Sequence, residues 1–305
     1  MAMEQERVWD FTSVNLFQTC RKKYQYRIIK GLVPLTTAPA LEFGKAIHLA
    51  LETYYKEVSA GAKEIYQQIA IERSIKAFQE SYKDREGELK RTVENGVKLL
   101  NGYFEVYKNE PFTIISQEVG FAVPLEYLDH TGTSKSILLC GRLDALVDWN
   151  GVLYVLEHKT TTVLGSYYFN QFEMSHQLDG YIYGASQHTG RKCLGAIVNA
   201  LEVWKDVAKP TSKTKTMEEH YARDPISRSD QEINDYKQDF GQTVEDILDA
   251  EKKNRFPRTK SACFSYNYKC PYWQLCKYGE DEKVLARDYK IEPWVPYKTG
   301  DGENE

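Results

Sequence analysis

Asn150-Gly151, midway through Gly141–Thr161 (GRLDALVDWNGVLYVLEHKTT), is the feature that leaves this chain the fewest structural options. An Asn-Gly pair between apolar runs marks a two-residue type I′ turn, because both central positions need positive φ. With the turn centred there, Trp149 faces Val152, and the register puts Asp144 opposite Glu157 and Arg142 opposite Lys159. Opposed residues share a face with Cβ atoms about 4.5–5.5 Å apart, and residues two apart on one strand share it too. Asp144, Glu157 and Lys159 therefore converge on one side of a hairpin. Two opposed carboxylates flanked by apolar Leu146 and Val155 are unfavourable unless positive charge lies between them. A divalent cation removes the conflict, and hard oxygen ligands suit Mg²⁺ or Mn²⁺. Such an ion polarises a phosphodiester and lowers the pKa of bound water, while Lys159 orients a nucleophile or stabilises developing charge. The alternative is a solvated Asp–Glu–Lys–Arg cluster, which the apolar flanks oppose.

Around the hairpin the chain reads as a mixed α/β core with helical additions. Ser13 is placed to cap a helix through Leu16, Phe17 and Cys20. Pro34–Pro39 is a loop, Leu41–Val58 a second helix and Gly61–Lys108 a mostly helical, charged region. Strands are expected over Pro111–Val123, Ile137–Asp148, Val152–Thr160 and Leu194–Val203, with a turn near His130–Ser134. Helices are expected over Met174–His188 and Asp230–Lys253, and the polar stretch Lys205–Ser229 reads as a mobile loop or lid, with a plain disordered linker as the alternative. The expected organisation is an N-terminal helical segment 1–40, a helical region 41–110, a core 111–204, the loop 205–229, and a C-terminal helix with a cysteine-rich segment 230–305.

Two helical pairs can serve the acidic hairpin. Gly44 and His48 share one helix face, and so do Gln177 and Tyr181. Glycine within a helix costs roughly 1 kcal/mol relative to alanine, so Gly44 points to a close neighbour or to helix packing. His48 can ligate metal as neutral imidazole, with Glu52 as acceptor for its other nitrogen. Gln177 and Tyr181 can hold a substrate backbone or an attacking water.

The formal net charge of −4 does not advertise a nucleic-acid binder, but binding depends on local patches. Cys20–Lys30 reads CRKKYQYRIIK, with Arg21, Lys22, Lys23, Arg27 and Lys30 and no acid. Interleaved with Tyr24 and Tyr26, these side chains can grip phosphates and stack bases; a solvated helix face is the alternative. Nothing approaches the roughly 18 uncharged apolar residues of a membrane span, and Met1–Asp10 lacks a signal-peptide core. A cytoplasmic location with reduced cysteines is therefore expected. No GxxxxGK[ST] phosphate loop occurs, which argues against an ATP-driven motor.

In order along the chain, Gly44-x3-His48, Gly141-Arg142-Leu143-Asp144, Glu157-His158-Lys159 and Gln177-x3-Tyr181 resemble the RecB-like branch of the PD-(D/E)XK nuclease superfamily. The literal Pro-Asp of that name is replaced by Leu143-Asp144. The resemblance implies an α/β, restriction-endonuclease-like core: a mixed sheet flanked by helices. It implies a metal site of His48, Asp144, Glu157 and the backbone carbonyl of His158, with Lys159 catalytic and Gln177 and Tyr181 at the substrate. Arg142 joins Arg21, Lys22, Lys23, Tyr24 and Arg27 as a candidate DNA contact. Cys20, Cys263, Cys270 and Cys276 resemble the cysteine set of iron–sulfur members, CRISPR-associated ones included, although the gap after Cys263 is unusually long. That set implies a [4Fe–4S] cluster shielded by Pro271, Tyr272 and Trp273. Spacing does not fit a zinc ribbon, unligated thiols are the other possibility, and Cys140 and Cys193 read as core residues.

The expected function is a Mg²⁺- or Mn²⁺-dependent DNA exonuclease acting at ends or on single strands. Recombination, repair, phage DNA metabolism or CRISPR spacer processing would suit it, with protein partners in a recombination or CRISPR adaptation complex. The competing readings are a non-catalytic DNA-binding iron–sulfur subunit and a zinc-stapled structural protein.

Overall fold

The computed structural model describes residues 7–59, 64–204, 214–265 and 268–296. In chain order, β1 (Val8–Asp10) leads into α1 (Phe11–Thr19), α2 (Arg21–Tyr24), a π-helical turn Gln25–Ile29 and β2 (Leu32–Pro34). Next come α3 (Pro39–Ser59), α4 (Glu64–Ser81) and α5 (Val93–Val106), then β3 (Thr113–Leu128), β4 (Ser134–Trp149) and β5 (Val152–Thr161). After α6 (His176–Thr189), β6 (Cys193–Glu202), β7 (Tyr221–Ser227) and α7 (Asp230–Lys252), the chain ends in small elements. These are β8 (Phe264–Ser265), β9 (Tyr268–Lys269), α8 (Trp273–Tyr278), α9 (Glu282–Asp288) and β10 (Tyr289–Ile291). Two compact units result: Ala38–Val119 with Arg142–Ser229, and Met1–Thr37 with Gly120–Gly141 and Asp230–Glu305.

The first unit holds the hairpin. Asn150 (φ 54°) and Gly151 (φ 85°) both adopt positive φ, as a type I′ turn demands. The Asp148 carboxylate locks the turn by accepting from the Gly151 N–H (2.7 Å) and from Arg191 (2.7 Å). Pairing of β4 with β5 runs antiparallel from Trp149↔Val152 to Ala145↔Leu156, the register that the turn dictates. β5 pairs with β6 in parallel, and β6 with β7 antiparallel, so the sheet is mixed. Strand β6 is buried along nearly all its length, which fits a strand covered on both faces. Helices α3–α5 cover it through a core that includes Phe43, Ile47, Phe78, Leu100 and Tyr103 with Leu201 and Tyr221 of the sheet. Helix α6 packs against β5 and β6, burying Leu178, Ile182 and Ala185.

Two expectations change here. Tyr221–Ser227, inside the stretch read as a mobile loop, is strand β7, while residues 205–213 lie outside the described set. The segment looks polar because only Tyr221 and Ile226 face the core deeply, and Pro225 is tolerated in this short strand. Glu52 does not hold His48; its carboxylate accepts from Lys56 one turn on (2.5 Å).

In the second unit, β1 pairs in parallel with Leu138–Cys140 of β4. The cap of α1 is Asp10 rather than Ser13: its carboxylate accepts from the Ser13 N–H (2.8 Å), and Trp294 Nε1 donates to its other oxygen (2.8 Å). Helix α7 buries Tyr236, Phe240, Val244 and Ile247. A separate core joins Tyr26, Leu32, Tyr272, Leu275 and Tyr289, with Cys270 and Cys276 packed against it. Cys140 and Cys193 are buried as small core residues, their thiols pushed up by burial to about 12 and about 11. Among the described residues no helix is long and apolar enough to cross a membrane.

A Cβ at Gly195 would stand 2.3 Å from the Ile226 carbonyl oxygen and 2.9 Å from Ser227 Cα, both backbone atoms of β7. Gly195→Ala must therefore push β7 off β6, with an expected loss of about 1–3 kcal/mol. A urea midpoint equal to that of the parent would contradict this packing.

Candidate active site

The mixed unit brings the hairpin acids, the α3 histidine and the α6 glutamine into one constellation. The β4–β5 ladder stops at Ala145↔Leu156, and the next pair in register is Asp144 and Glu157. There the Asp144 side chain takes over: Oδ2 accepts from the His158 N–H (2.7 Å), and Oδ1 is 3.1 Å from His48 Nδ1. Lys159 Nζ donates to Glu157 Oε1 (2.5 Å) and to Gln177 Oε1 (3.1 Å), and Gln177 Nε2 donates to the Tyr181 hydroxyl (3.1 Å). A hydrogen-bonded chain Glu157–Lys159–Gln177–Tyr181 thus lies beside a second one, His48–Asp144–His158.

Gly44 explains how α3 reaches the hairpin. A Cβ there would meet the Thr160 side-chain hydroxyl at 3.3 Å, so α3 lies against β5 at this turn with little room for a side chain. His48, one turn further on, then reaches Asp144.

Charge sets the protonation of the group. Burial raises the Asp144 carboxyl, but the His48 imidazolium and the His158 N–H outweigh it and hold it well below the usual range. Burial opposes charge on His48, yet Asp144 lifts its pKa to about 9. Held this way His48 is protonated near neutrality, whereas a metal-bound His48 has to be neutral. Glu157 is pushed up, first by burial and then by Asp144, with Lys159 opposing. Lys159 resists burial because Glu157 keeps it charged. The two carboxylates act on each other directly, as the register requires.

Among the described residues no three His, Cys, Asp or Glu side chains stand close enough together to enclose a metal ion as they are. The donor chemistry nonetheless suits a hard divalent cation: two interacting acids, nearly buried, with one imidazole beside them.

Sequence reasoning missed the layer behind the acids. His158, Asn199 and Arg223 form one row across β5, β6 and β7. Arg223 Nε donates to Asn199 Oδ1 (3.0 Å), which turns the amide nitrogen toward His158 Nδ1 (2.7 Å). His158 Nδ1 must then accept, so the ring is neutral, and burial lowers its pKa to about 3. Arg223 also holds Glu110 (2.5 Å) and the Tyr103 hydroxyl (2.9 Å), while the Tyr55 ring stacks on His158. Glu118 was missed as well. It adopts φ 47°, unusual for a non-glycine residue, and its carboxyl is raised to about 7 by burial and Glu52, against Arg142. No local pattern marks these residues, which come from separate strands, helices and loops.

The candidate DNA contacts fare differently. Arg142 is ion-paired with Glu118. Tyr24 is fully buried with its hydroxyl on Glu251 (2.8 Å), and Tyr26 is buried too, so neither ring is available to stack bases. The passage from α-helix at Tyr24 to the wider π-helical turn at Gln25–Ile29 carries both rings on the inward side. Arg21 pairs with Asp246 (3.0 Å), Lys22 lies 3.7 Å from Glu280, and Arg27 donates to the Glu292 carbonyl (2.9 Å). Lys23 lies near enough to Cys270 to oppose the burial that raises its thiol.

In the second unit Cys276 comes within electrostatic range of Cys270, and both come within range of Cys20 and Cys263. Burial raises the Cys270 and Cys276 thiols, and the other cysteines of the set raise them further. The Thr259 N–H points at Cys20 Sγ (3.3 Å), and the Cys270 N–H donates to the Cys263 carbonyl (2.8 Å).

The family model of the PD-(D/E)XK nuclease superfamily matches residues 9–277. No curated protein matches the chain. Among solved structures, the "putative exonuclease" from Eubacterium rectale aligns at 13% identity with a TM-score of 0.47, over 88% of this chain and 86% of that one. The protein SSO0001 aligns at 12% identity with a TM-score of 0.30, over 79% and 87%. At those scores neither likeness bears on the chemistry of this chain.

Replacing Asn199 by leucine keeps the branching at Cγ but strips partners from both Arg223 and His158. Asn199→Leu is expected to cost about 2–4 kcal/mol, since buried donors and acceptors are left unmade. Urea unfolding monitored by tryptophan fluorescence checks this, and an unchanged midpoint would mean the network adds nothing to stability.

Proposed function

This chain belongs to the PD-(D/E)XK nuclease superfamily, and on that footing we propose that it is a Mg²⁺- or Mn²⁺-dependent DNA exonuclease of the RecB-like type, acting at DNA ends or on single strands. Its mixed sheet flanked by helices is the restriction-endonuclease-like arrangement of that superfamily. The observation that carries the proposal is the interacting pair Asp144 and Glu157 with Lys159 bound to Glu157 and Gln177.

Asp144, Glu157, His48 and the His158 carbonyl would hold the catalytic cation, which when bound polarises the phosphodiester and lowers the pKa of its water. Lys159 is kept protonated by Glu157, so its ammonium is ready to orient the nucleophile or to meet negative charge developing on the phosphate. Gln177 fixes the Lys159 ammonium through its amide oxygen and the Tyr181 hydroxyl through its nitrogen. Those two α6 side chains are then placed to touch the substrate backbone. Neutral His158, wedged against Asn199, keeps its strand from shifting under the acids.

The second proposed cofactor is a [4Fe–4S] cluster on Cys20, Cys263, Cys270 and Cys276. What supports it is that Cys270 and Cys276, whose thiols burial raises, lie near enough to Cys20 and Cys263 for those sulfurs to raise them further, so four sulfurs are gathered that a cluster would take as thiolates. When bound it would tie the α1–α2 junction to the C-terminal segment, closing a loop of over two hundred residues. Recombination, repair, phage DNA metabolism and CRISPR spacer processing all use such an activity.

Glu157→Ala and Lys159→Ala are expected to lose manganese-dependent digestion of end-labelled single-stranded DNA by at least about 100-fold, as removal of a charge-stabilising group does. Both should keep oligonucleotide affinity in EDTA. Cleavage equal to the parent's refutes the assignment, and substrates blocked at the 5′ or 3′ end decide whether a terminus is required. Cys276→Ala is expected to lower both the melting temperature and the iron content of an anaerobic preparation. A variant with full iron and an unchanged melt removes the cluster from the proposal.

A further inference from the structure

From Lys252 to Gly279 the chain carries seven lysines and arginines and not one acid, although the protein as a whole has a net charge of −4. The end of this stretch forms the β8–β9 hairpin, paired Phe264↔Lys269 and Ser265↔Tyr268, and then α8. Helix α8 has two sides of opposite character. Tyr272 and Leu275 point into the core with Tyr26, Leu32 and Tyr289, which anchors the helix. Trp273, Lys277 and Tyr278 are left on the outer side.

That outer side is a set of rings with cations between them. Phe264 is 54% exposed, Tyr268 80% and Tyr278 71%. The Trp273 ring sits at the centre, with Lys269 Nζ 4.6 Å and Lys277 Nζ 4.7 Å from its centroid. Phe264 and Tyr278 meet Trp273 at steep angles, 71° and 87°, so their own faces turn away from it. Among the described residues neither lysine takes part in an ion pair. Exposed aromatic faces next to uncompensated ammonium groups are costly to leave bare and mark a binding surface. Its charge selects the occupant. An apolar protein partner would bury two lysines without counter-charge, whereas a single strand offers flat bases to the rings and phosphates to the amines.

We propose that β8, β9 and the outer side of α8 bind single-stranded DNA, with bases stacked on Phe264, Tyr268 and Tyr278 and phosphates on Lys269 and Lys277. The choice of DNA rests on the nuclease reading; the surface itself shares no residue with the acidic site. The full-length protein in EDTA, titrated into fluorescein-labelled oligothymidylate of about 20 nucleotides, gives the test by anisotropy. Phe264→Ala and Tyr278→Ala are each expected to weaken binding about 5- to 150-fold, the range of one lost stacking contact. Lys269→Gln combined with Lys277→Gln should weaken it further at low salt and flatten the salt dependence by about 1.4 in log–log slope. Should an aromatic variant fail to fold, the lysine pair decides, because both amines lie on the surface. Binding by all variants equal to the parent's overturns the proposal, as does a blunt duplex bound as tightly as the single strand and weakened by the same substitutions. The two readings fail separately. If Lys159→Ala still cleaves while these variants lose oligothymidylate, the acidic site is misassigned and this surface stands. If Lys159→Ala is inactive while they bind normally, the surface falls and the nuclease reading stands.

Discussion

Two carboxylates buried side by side cannot both stay ionised without positive partners, and that requirement organises the mixed unit. Asp144 satisfies it with the His48 imidazolium and a backbone N–H, Glu157 with the Lys159 ammonium. Each partner comes from a different direction. His48 needs α3 close to β5, which Gly44 permits by leaving room beside Thr160. Lys159 lies two residues along β5 from Glu157, so the strand alternation places both side chains on one face. Gln177 then extends the chain of hydrogen bonds to α6. Opposed charges would splay an ordinary hairpin; here the ladder ends where the carboxylates begin to bind other groups.

Rigidity behind the acids comes from a row of polar groups that needs no solvent. Arg223 fixes the orientation of the Asn199 amide, and the amide fixes the proton on His158. Such a network is stabilising only when every member is satisfied, and here Glu110, Tyr55 and Tyr103 complete it. Glu118 is a separate tension. Its backbone sits at positive φ, and burial together with nearby Glu52 lifts its carboxyl pKa to about 7. Strain of this kind persists where the surroundings over-determine a residue, and it clusters at functional sites.

The unit that gathers the four cysteines uses its basic residues in two ways. Around Tyr24 and Tyr26 they are consumed internally, by Asp246, Glu280 and backbone carbonyls. Around Trp273 they are presented outward beside exposed rings. The same residue types thus serve packing in one helix and present a binding face in another, depending on whether an acid lies within reach.

The hairpin and its register were legible because they depend on consecutive residues: Asn150-Gly151 sets two dihedrals, and the period of two does the rest. The spacing of Gly44 with His48 and of Gln177 with Tyr181 was legible for the same reason, since a helix turn is local. Strand β7 was not, because Tyr221 and Ile226 alone carry its apolar signal and Pro225 argues against a strand. Nor were Asn199, Arg223, Glu110 and Glu118, or the burial of Tyr24 and Tyr26. Their partners lie tens to hundreds of residues away, and which side chain meets which is set by how sheet and helices pack. Local sequence therefore determined the turn, the register and the pairing of acids; only the tertiary structure decided which groups neutralise them, because long-range contact leaves no periodic trace in the chain.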